Sequence, residues 1–153
     1  MKKTLLCIVA VAASSLSSLL AADTFNNPIL TGMNPDPTIC RVGDDFYLMT
    51  STFEYYPGLP VYHSKDLVNW KLIGHALSTP QSNPLKGAGT SGGQYAPTLR
   101  YHDGVFYAIG TNYGGEGSHG ISIVTAEDPA GPWSDPIWMD QWWVDPSLDF
   151  YDG

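Results

Sequence analysis

The sequence predicts an all-β fold built from repeated four-stranded units. The 153 residues include 16 glycines and 12 prolines, which divide the chain into many short elements rather than long helices. Aromatic residues make up 12% of the chain, which argues against a disordered protein. A motif of strand and turn residues also recurs along the chain, so the short elements belong to a repeating unit.

The repeating unit starts with a proline, a hydroxyl residue and a branched apolar residue, and then reaches a tight turn. It occurs three times, at 36–48, 96–107 and 145–153. In the second copy, Asp103-Gly104 lies between apolar runs, which is a strong hairpin signal. The first two copies continue into a further strand, a turn containing aspartate, and Trp70 or Trp133. Four strands with a period of about 50–60 residues are typical of a β-propeller, and a generic antiparallel sandwich is the alternative.

The chain holds about two of these units and the first strand of a third, because Gly153 falls on the turn of the third copy. A propeller needs at least about four blades to close. Two blades alone would also expose unpaired strand edges, which is an aggregation hazard. We therefore expect residues 23–153 to be the N-terminal part of a longer, truncated propeller domain. The alternative is a small two-sheet protein that ends naturally at this point.

Residues 1–22 have the features of a secretory signal peptide. Lys2 and Lys3 precede an apolar run, and small residues follow up to Ala22. The run is too short and too interrupted for a comfortable membrane span. We expect a secreted or periplasmic protein in which Cys40 is the one remaining cysteine. A single cysteine forms no internal disulfide, so Cys40 is predicted to be a small buried apolar residue.

The charge balance argues against two classes of partner. The formal net charge is −8, with a pI near 4.6, whereas a nucleic-acid-binding protein needs a basic face. An anionic membrane surface is disfavoured for the same reason.

The four histidines lack metal-ligand spacing, and the glycine-rich stretches lack the lysine of a phosphate-binding loop. We therefore predict no metal and no cofactor.

The position before the proline is a candidate catalytic position. In a propeller the first strand of each blade lines the central axis. Asp36, Ala96 and Asp145 hold this position in the three units, so two carboxylates are expected to face one pocket. Glycoside hydrolysis uses such a pair of carboxyl groups. Ordinary Asp-Pro turns are an equally good explanation, since Asp128-Pro129 and Asp135-Pro136 also occur.

Several segments together resemble glycoside hydrolase family 43, and most closely its β-xylosidase-like branch. They are 34–40, 47–60, 63–70, 96–104 and 144–148, which occur in the family's order and span residues 27–153. The resemblance implies a five-bladed β-propeller. It also implies inverting hydrolysis of xylosides or arabinofuranosides from plant polysaccharide, with an oligosaccharide as the partner.

The resemblance assigns roles to individual residues. Asp36 matches the general base, and Asp145 matches a carboxylate that tunes the pKa of the general acid and orients the substrate. Phe53 matches an aromatic wall of the pocket. Tyr95 stands where the family usually has tryptophan, so an aromatic platform is kept but altered. The family's general acid is a glutamate in a later blade, beyond Gly153.

The glutamates of this chain are weaker candidates for the acid. Glu54 would point to the opposite face from Phe53 if both lay in a strand, and Glu116 and Glu127 fall in a loop and a turn. All three are therefore predicted to be structural or solvent-exposed. Without the acid, the chain alone is expected to be inactive. A non-catalytic carbohydrate-binding protein and a degenerate gene without a product remain alternatives.

Overall fold

The computed structural model describes residues 24–117, 120–141 and 143–151. Every helix or strand in these ranges is a β-strand, which confirms the predicted all-β class. No helix in the described ranges is long and apolar enough to cross a membrane. The predicted signal peptide at 1–22 lies outside the described residues.

The first sheet is an antiparallel meander of four strands in sequence order. These are β1 (Thr38–Val42), β2 (Asp45–Met49), β3 (Gly58–Ser64) and β4 (Lys71–Leu77). The β1–β2 register pairs Thr38 with Met49 and Val42 with Asp45, so a two-residue turn joins the strands. A register shift between Val61 and Tyr62 interrupts the β3–β4 ladder. This sheet is the first predicted four-stranded unit.

The second sheet repeats this meander and adds one short strand. Its elements are β5 (Gly93–Gln94), β6 (Thr98–His102), β7 (Val105–Tyr113), β8 (Gly120–Ala126) and β9 (Ile137–Met139). The predicted hairpin at Asp103-Gly104 joins β6 to β7, and both residues have positive φ, as a type I′ turn requires. Strand β7 continues past the start of β6, and β5 pairs with the part that extends beyond it.

The two sheets contact each other through β1 and β6, which are the first strands of the two four-stranded meanders. The backbone N–H of Leu99 donates a hydrogen bond to the Thr38 hydroxyl at 3.3 Å. The apolar core between the sheets draws on both units: Cys40, Met49, Leu59, Val61, Ala76, Leu77, Leu99, Phe106, Ala108 and Val124. Successive meanders that touch through their first strands form a partial β-propeller rather than a face-to-face sandwich.

Cys40 is the free cysteine of the described residues, and it is buried in this core as predicted. Burial raises the pKa of the Cys40 thiol, which keeps the sulfur in its neutral form. Cys40 therefore behaves as a small apolar side chain.

The third unit differs in detail from the prediction of a first strand. Within 143–151 no residue is in a strand. The segment nevertheless lies beside β6, where the Thr98 hydroxyl donates to the Pro146 carbonyl at 2.8 Å, and the Phe150 ring stacks on His102 with centroids 4.2 Å apart. A strand needs a neighbour that pairs with its backbone groups, and no such ladder forms here within the described residues.

Candidate active site

The candidate site lies at one end of the two blades, which we call the upper end. It is the end where β1 and β6 begin and where β2 and β7 finish. Asp36 and Ala96 each lie two residues before their blade's first strand, and Asp145 holds the same position in the third unit. Hydrogen bonds from Leu99 to Thr38 and from Thr98 to Pro146 link the three segments in order. The upper end therefore carries both predicted aspartates.

Asp36 and Asp145 share an uncommon backbone conformation. Their φ angles are 52° and 55°, in the left-handed region, and each is followed by proline. A residue before proline ordinarily prefers extended backbone, and left-handed conformation costs an L-residue about 1–2 kcal/mol. Ala96, the equivalent residue of the second blade, is not among the described residues with positive φ. Of the three matched repeat positions, the two that carry carboxylates thus have the left-handed backbone.

The Asp36 carboxylate is exposed and is held by one hydrogen bond. Its Oδ2 atom accepts from the Ser51 hydroxyl at 2.6 Å. Ser51 is fully buried, and its backbone N–H donates to the Pro35 carbonyl at 3.1 Å. Sequence reasoning missed Ser51. The signal that points to it is the register, which brings the chain just after β2 alongside the chain just before β1.

Phe53 also has a left-handed backbone, with φ 49°. It pairs with Gln94 through two backbone hydrogen bonds of 2.9 Å, one in each direction. Gly93 allows this approach, because a Cβ at that position would overlap the Phe53 carbonyl. Phe53 is therefore fixed between the two blades rather than carried on a mobile loop.

Three aromatic rings form a row at the upper end. The Phe53 and Tyr95 centroids are 5.8 Å apart with planes at 72°, and the Tyr95 and Tyr113 centroids are 5.6 Å apart at 33°. The structure thus brings together the two aromatic residues that the sequence singled out. Sequence reasoning missed Tyr113. Met49 and Ile109 hold equivalent positions in the two blades, and Phe53 and Tyr113 each follow four residues later. The repeat alignment could therefore have identified Tyr113 as the counterpart of Phe53.

Two of the three glutamates of the chain make contacts with loop residues. Glu54 accepts a hydrogen bond from the Ser91 backbone N–H at 3.1 Å and lines a cavity of about 340 Å³ beside the 79–92 loop. Glu116 forms an ion pair with Lys86 at 2.7 Å. Glu127 is exposed and follows β8 at the lower end of the blade. Phe53 forms an isolated bridge rather than part of a strand, so the strand alternation expected for Glu54 does not apply.

Backbone anchors hold the Asp145 segment on the second blade. The Thr111 hydroxyl donates to the Trp143 carbonyl at 2.8 Å, and the Thr98 hydroxyl donates to the Pro146 carbonyl at 2.8 Å. The two bonds flank Asp145, whose side chain is exposed. Among the described residues, no group of three histidine, cysteine, aspartate or glutamate side chains has the arrangement of a metal site.

Together, the blades and this site define a partial β-propeller with carboxylates and aromatic rings at its upper end. A family model described as glycosyl hydrolases family 43 matches residues 25–153. The chain belongs to glycosyl hydrolases family 43, as its motifs predicted.

Individual relatives agree with this family. The chain is 76% identical over 135 residues to the non-reducing end α-L-arabinofuranosidase BoGH43B of Bacteroides ovatus, covering 88% of this chain and 26% of that protein. It is 45% identical over 131 residues to a β-xylosidase of Bacillus subtilis, covering 82% of this chain and 24% of that protein. The chain therefore spans about a quarter of the length of these relatives.

Solved structures give the same result for the fold. The structure of the Bacteroides ovatus xyloglucan PUL GH43B superposes with a TM-score of 0.83 at 75% identity, covering 86% of this chain and 26% of that chain. A xylan β-1,4-xylosidase from Bacillus halodurans superposes with a TM-score of 0.68 at 46% identity, covering 75% of this chain and 23% of that chain.

Proposed function

We propose that the complete protein is a glycoside hydrolase that releases terminal xylosyl or arabinofuranosyl units from plant-derived oligosaccharides. The observation that carries the proposal is the matched pair of aspartates in a family 43 chain. Asp36 and Asp145 occupy the same repeat position, share a left-handed backbone and lie at the same end of the blades. Left-handed backbone before a proline is uncommon, and strained backbone of this kind concentrates at functional sites.

In the proposed reaction Asp36 is the general base and the configuration at the anomeric carbon inverts. The Asp36 carboxylate takes a proton from water while the water oxygen bonds to the anomeric carbon. The glycosidic C–O bond breaks, and a general acid protonates the departing oxygen. Asp145 orients the substrate and raises the pKa of that acid, because a nearby negative charge disfavours a second one.

The general acid of this scheme comes from a part of the protein beyond the present chain. Glu54 and Glu116 contact loop residues, and Glu127 follows β8 at the lower end, which supports an acid supplied by a later blade. We expect a chain of residues 24–153 alone to show no pentosidase activity. General acid assistance is worth about 10²–10⁴-fold, and a five-bladed propeller would contribute the rest of the pocket.

The aromatic row suits a sugar substrate. Flat ring faces pack against the C–H surface of a pyranose or furanose, and tyrosine hydroxyls add hydrogen bonding at the pocket edge. The Phe53 ring stands at 72° to the Tyr95 ring, an arrangement that suits a wall and a platform for a sugar ring. The formal net charge of −8 disfavours a phosphorylated ligand.

A non-catalytic carbohydrate-binding protein is the second candidate, and the same aromatic row favours it. Such a protein would bind oligosaccharides through Phe53, Tyr95 and Tyr113 without turning them over. The strain at Asp36 and Asp145 argues for the enzyme, since binding alone gains little from two strained carboxylates. For either candidate, we propose secretion or export to the periplasm, directed by residues 1–22.

The test uses the full-length gene product with β-xylosides and α-L-arabinofuranosides as substrates. Proton NMR during the first turnovers reads the anomeric configuration of the released sugar. We expect turnover of at least one substrate with the opposite configuration appearing first. Retention at the anomeric carbon would contradict the role of Asp36 as a base, and saturable binding without turnover would favour the binding protein.

A further inference from the structure

Ser51 is a buried residue with a direct contact to the candidate base. Its side chain has no exposed surface, and its hydroxyl donates to Asp36 Oδ2 at 2.6 Å. This distance is in the range of a charge-assisted O–H···O⁻ bond, which is about twice as strong as a neutral one. We propose that Ser51 is a positioning residue, which holds the Asp36 carboxylate in the orientation that activates water; the inference rests on the proposed hydrolase function.

Ser51 makes two hydrogen bonds to the 35–36 segment, one to its backbone and one to the Asp36 side chain. The Ser51 backbone N–H donates to the Pro35 carbonyl at 3.1 Å, and its hydroxyl donates to the carboxylate one residue later. The first bond fixes the chain as it enters the left-handed residue, and the second fixes the rotation of the side chain. Both anchors come from the chain just after β2, which the β1–β2 ladder holds in register.

The contact leaves one carboxylate oxygen available. Within the described parts of the chain, Asp36 Oδ1 has no hydrogen-bond partner, and the residue is exposed. Ser51 occupies Oδ2 from the buried side. Oδ1 is therefore the atom that would accept the proton of the attacking water, and its direction depends on the Ser51 bond.

The second blade provides an internal comparison. Thr111 stands two residues after Ile109, as Ser51 stands two residues after Met49, and both hydroxyl residues are fully buried. The residue that corresponds to Asp36 is Ala96, which offers no carboxylate. The Thr111 hydroxyl donates instead to the Trp143 carbonyl of the next unit. Both blades thus have a buried hydroxyl at this position, and the contact with a carboxylate is particular to the blade that carries Asp36.

The experiment compares Ser51 variants of the full-length gene product. Ser51→Ala is expected to lower kcat about 10–100-fold, the range for a lost hydrogen bond to a charged group, with KM changed less than about 2-fold. Ser64→Ala is the matched control, because Ser64 is also buried and its hydroxyl bonds only within the 64–67 turn at the lower end. It should retain kcat.

A second pair of variants separates the hydroxyl from packing. Threonine and valine have nearly the same shape, and Thr111 shows that the repeat accommodates threonine at this position. We expect Ser51→Thr to retain most of the activity and Ser51→Val to lose it to the same extent as Ser51→Ala. Equal activity of the threonine and valine variants would overturn the proposal.

A double-variant cycle tests whether Ser51 acts through Asp36. Residues that act as one unit are strongly non-additive, so adding Ser51→Ala to Asp36→Ala should cause no further loss. The same fold loss in both backgrounds would show a merely structural role and overturn the inference. If Asp36→Ala alone leaves activity intact, the proposed function fails. If Asp36→Ala abolishes activity and Ser51→Ala has no effect, only the inference about Ser51 fails.

Discussion

At the residue scale, three of the predicted site residues share a strained backbone conformation. Asp36, Phe53 and Asp145 all have φ near 50°, a region that costs each L-residue about 1–2 kcal/mol. Neighbouring contacts offset this cost: Ser51 binds Asp36, Gln94 pairs with Phe53, and threonine hydroxyls anchor the chain on both sides of Asp145. The site is therefore preorganised by its surroundings.

A different residue, Asp66, stabilises the turn between β3 and β4. Its carboxylate accepts hydrogen bonds from the backbone N–H groups of Val68 and Asn69 at 2.9 and 2.7 Å, and these hold the pKa of that carboxyl well below its usual range. A lowered pKa adds stability above about pH 4, and that stability is lost as the pH falls toward the folded-state value. Asp66→Ala should therefore lower the melting temperature at pH 6 and do so less at pH 3.

Asp44→Ala is the control for this prediction. Asp44 is exposed and makes only a 3.8 Å ion pair with Arg41, so its removal should change the melting temperature little at either pH. A pH-independent effect of Asp66→Ala would show that the turn depends on side-chain packing and not on the charged carboxylate.

The sequence was sufficient to locate Asp36 and Asp145 but not to describe their conformation. The repeat alignment placed both before a proline at one end of the blades. A residue before proline is biased toward extended backbone, so nothing local predicts a left-handed φ. Ser51 was missed for a related reason: its contact depends on register across 15 residues of chain and not on a local motif.

At the element scale, the join between the two blades depends on a close backbone approach. Gly93 lies in β5 with φ +95°, and a Cβ there would overlap the carbonyl of Phe53. Gln94, the next residue, makes the backbone pair that fixes Phe53. The short strand β5, which the sequence did not predict, thus positions an aromatic wall of the candidate pocket.

Gly93→Ala should therefore damage both stability and substrate binding. The left-handed backbone costs about 1–2 kcal/mol, and the backbone overlap adds roughly 1–3 kcal/mol. Gly104→Ala is the matched control, because Gly104 also has positive φ, +86°, but a Cβ there meets nothing within 4 Å. Denaturant unfolding of the full-length gene product should show the larger loss at Gly93, with a raised KM only for that variant. Equal losses would contradict the role assigned to β5.

The strand pattern was the most predictable part of the fold. Asp103-Gly104 and the recurring Pro–hydroxyl–apolar motif gave both first hairpins, because turn geometry and alternation are local properties. Residues 143–151 form no strand although they match the first strands of the two blades. Pairing requires a neighbouring strand, and a sequence motif does not supply one.

At the scale of the whole molecule, the chain covers about a quarter of its relatives and has large exposed apolar side chains toward its C-terminal part. Ile137, Trp143 and Tyr151 are 69%, 71% and 91% exposed. Under the proposed function, a following blade packs against this surface, as the second blade packs against the first through β1 and β6.

The most direct test of the account measures kcat on pentosides for the full-length gene product, its Asp36→Ala variant and its Asp44→Ala variant. Loss of a general base lowers the rate about 10²–10⁴-fold, so we expect Asp36→Ala to fall by at least about 100-fold while Asp44→Ala is unchanged. Both variants should keep the melting temperature within a few degrees of the parent protein. An Asp36→Ala protein that is folded and retains near-normal kcat would contradict the account.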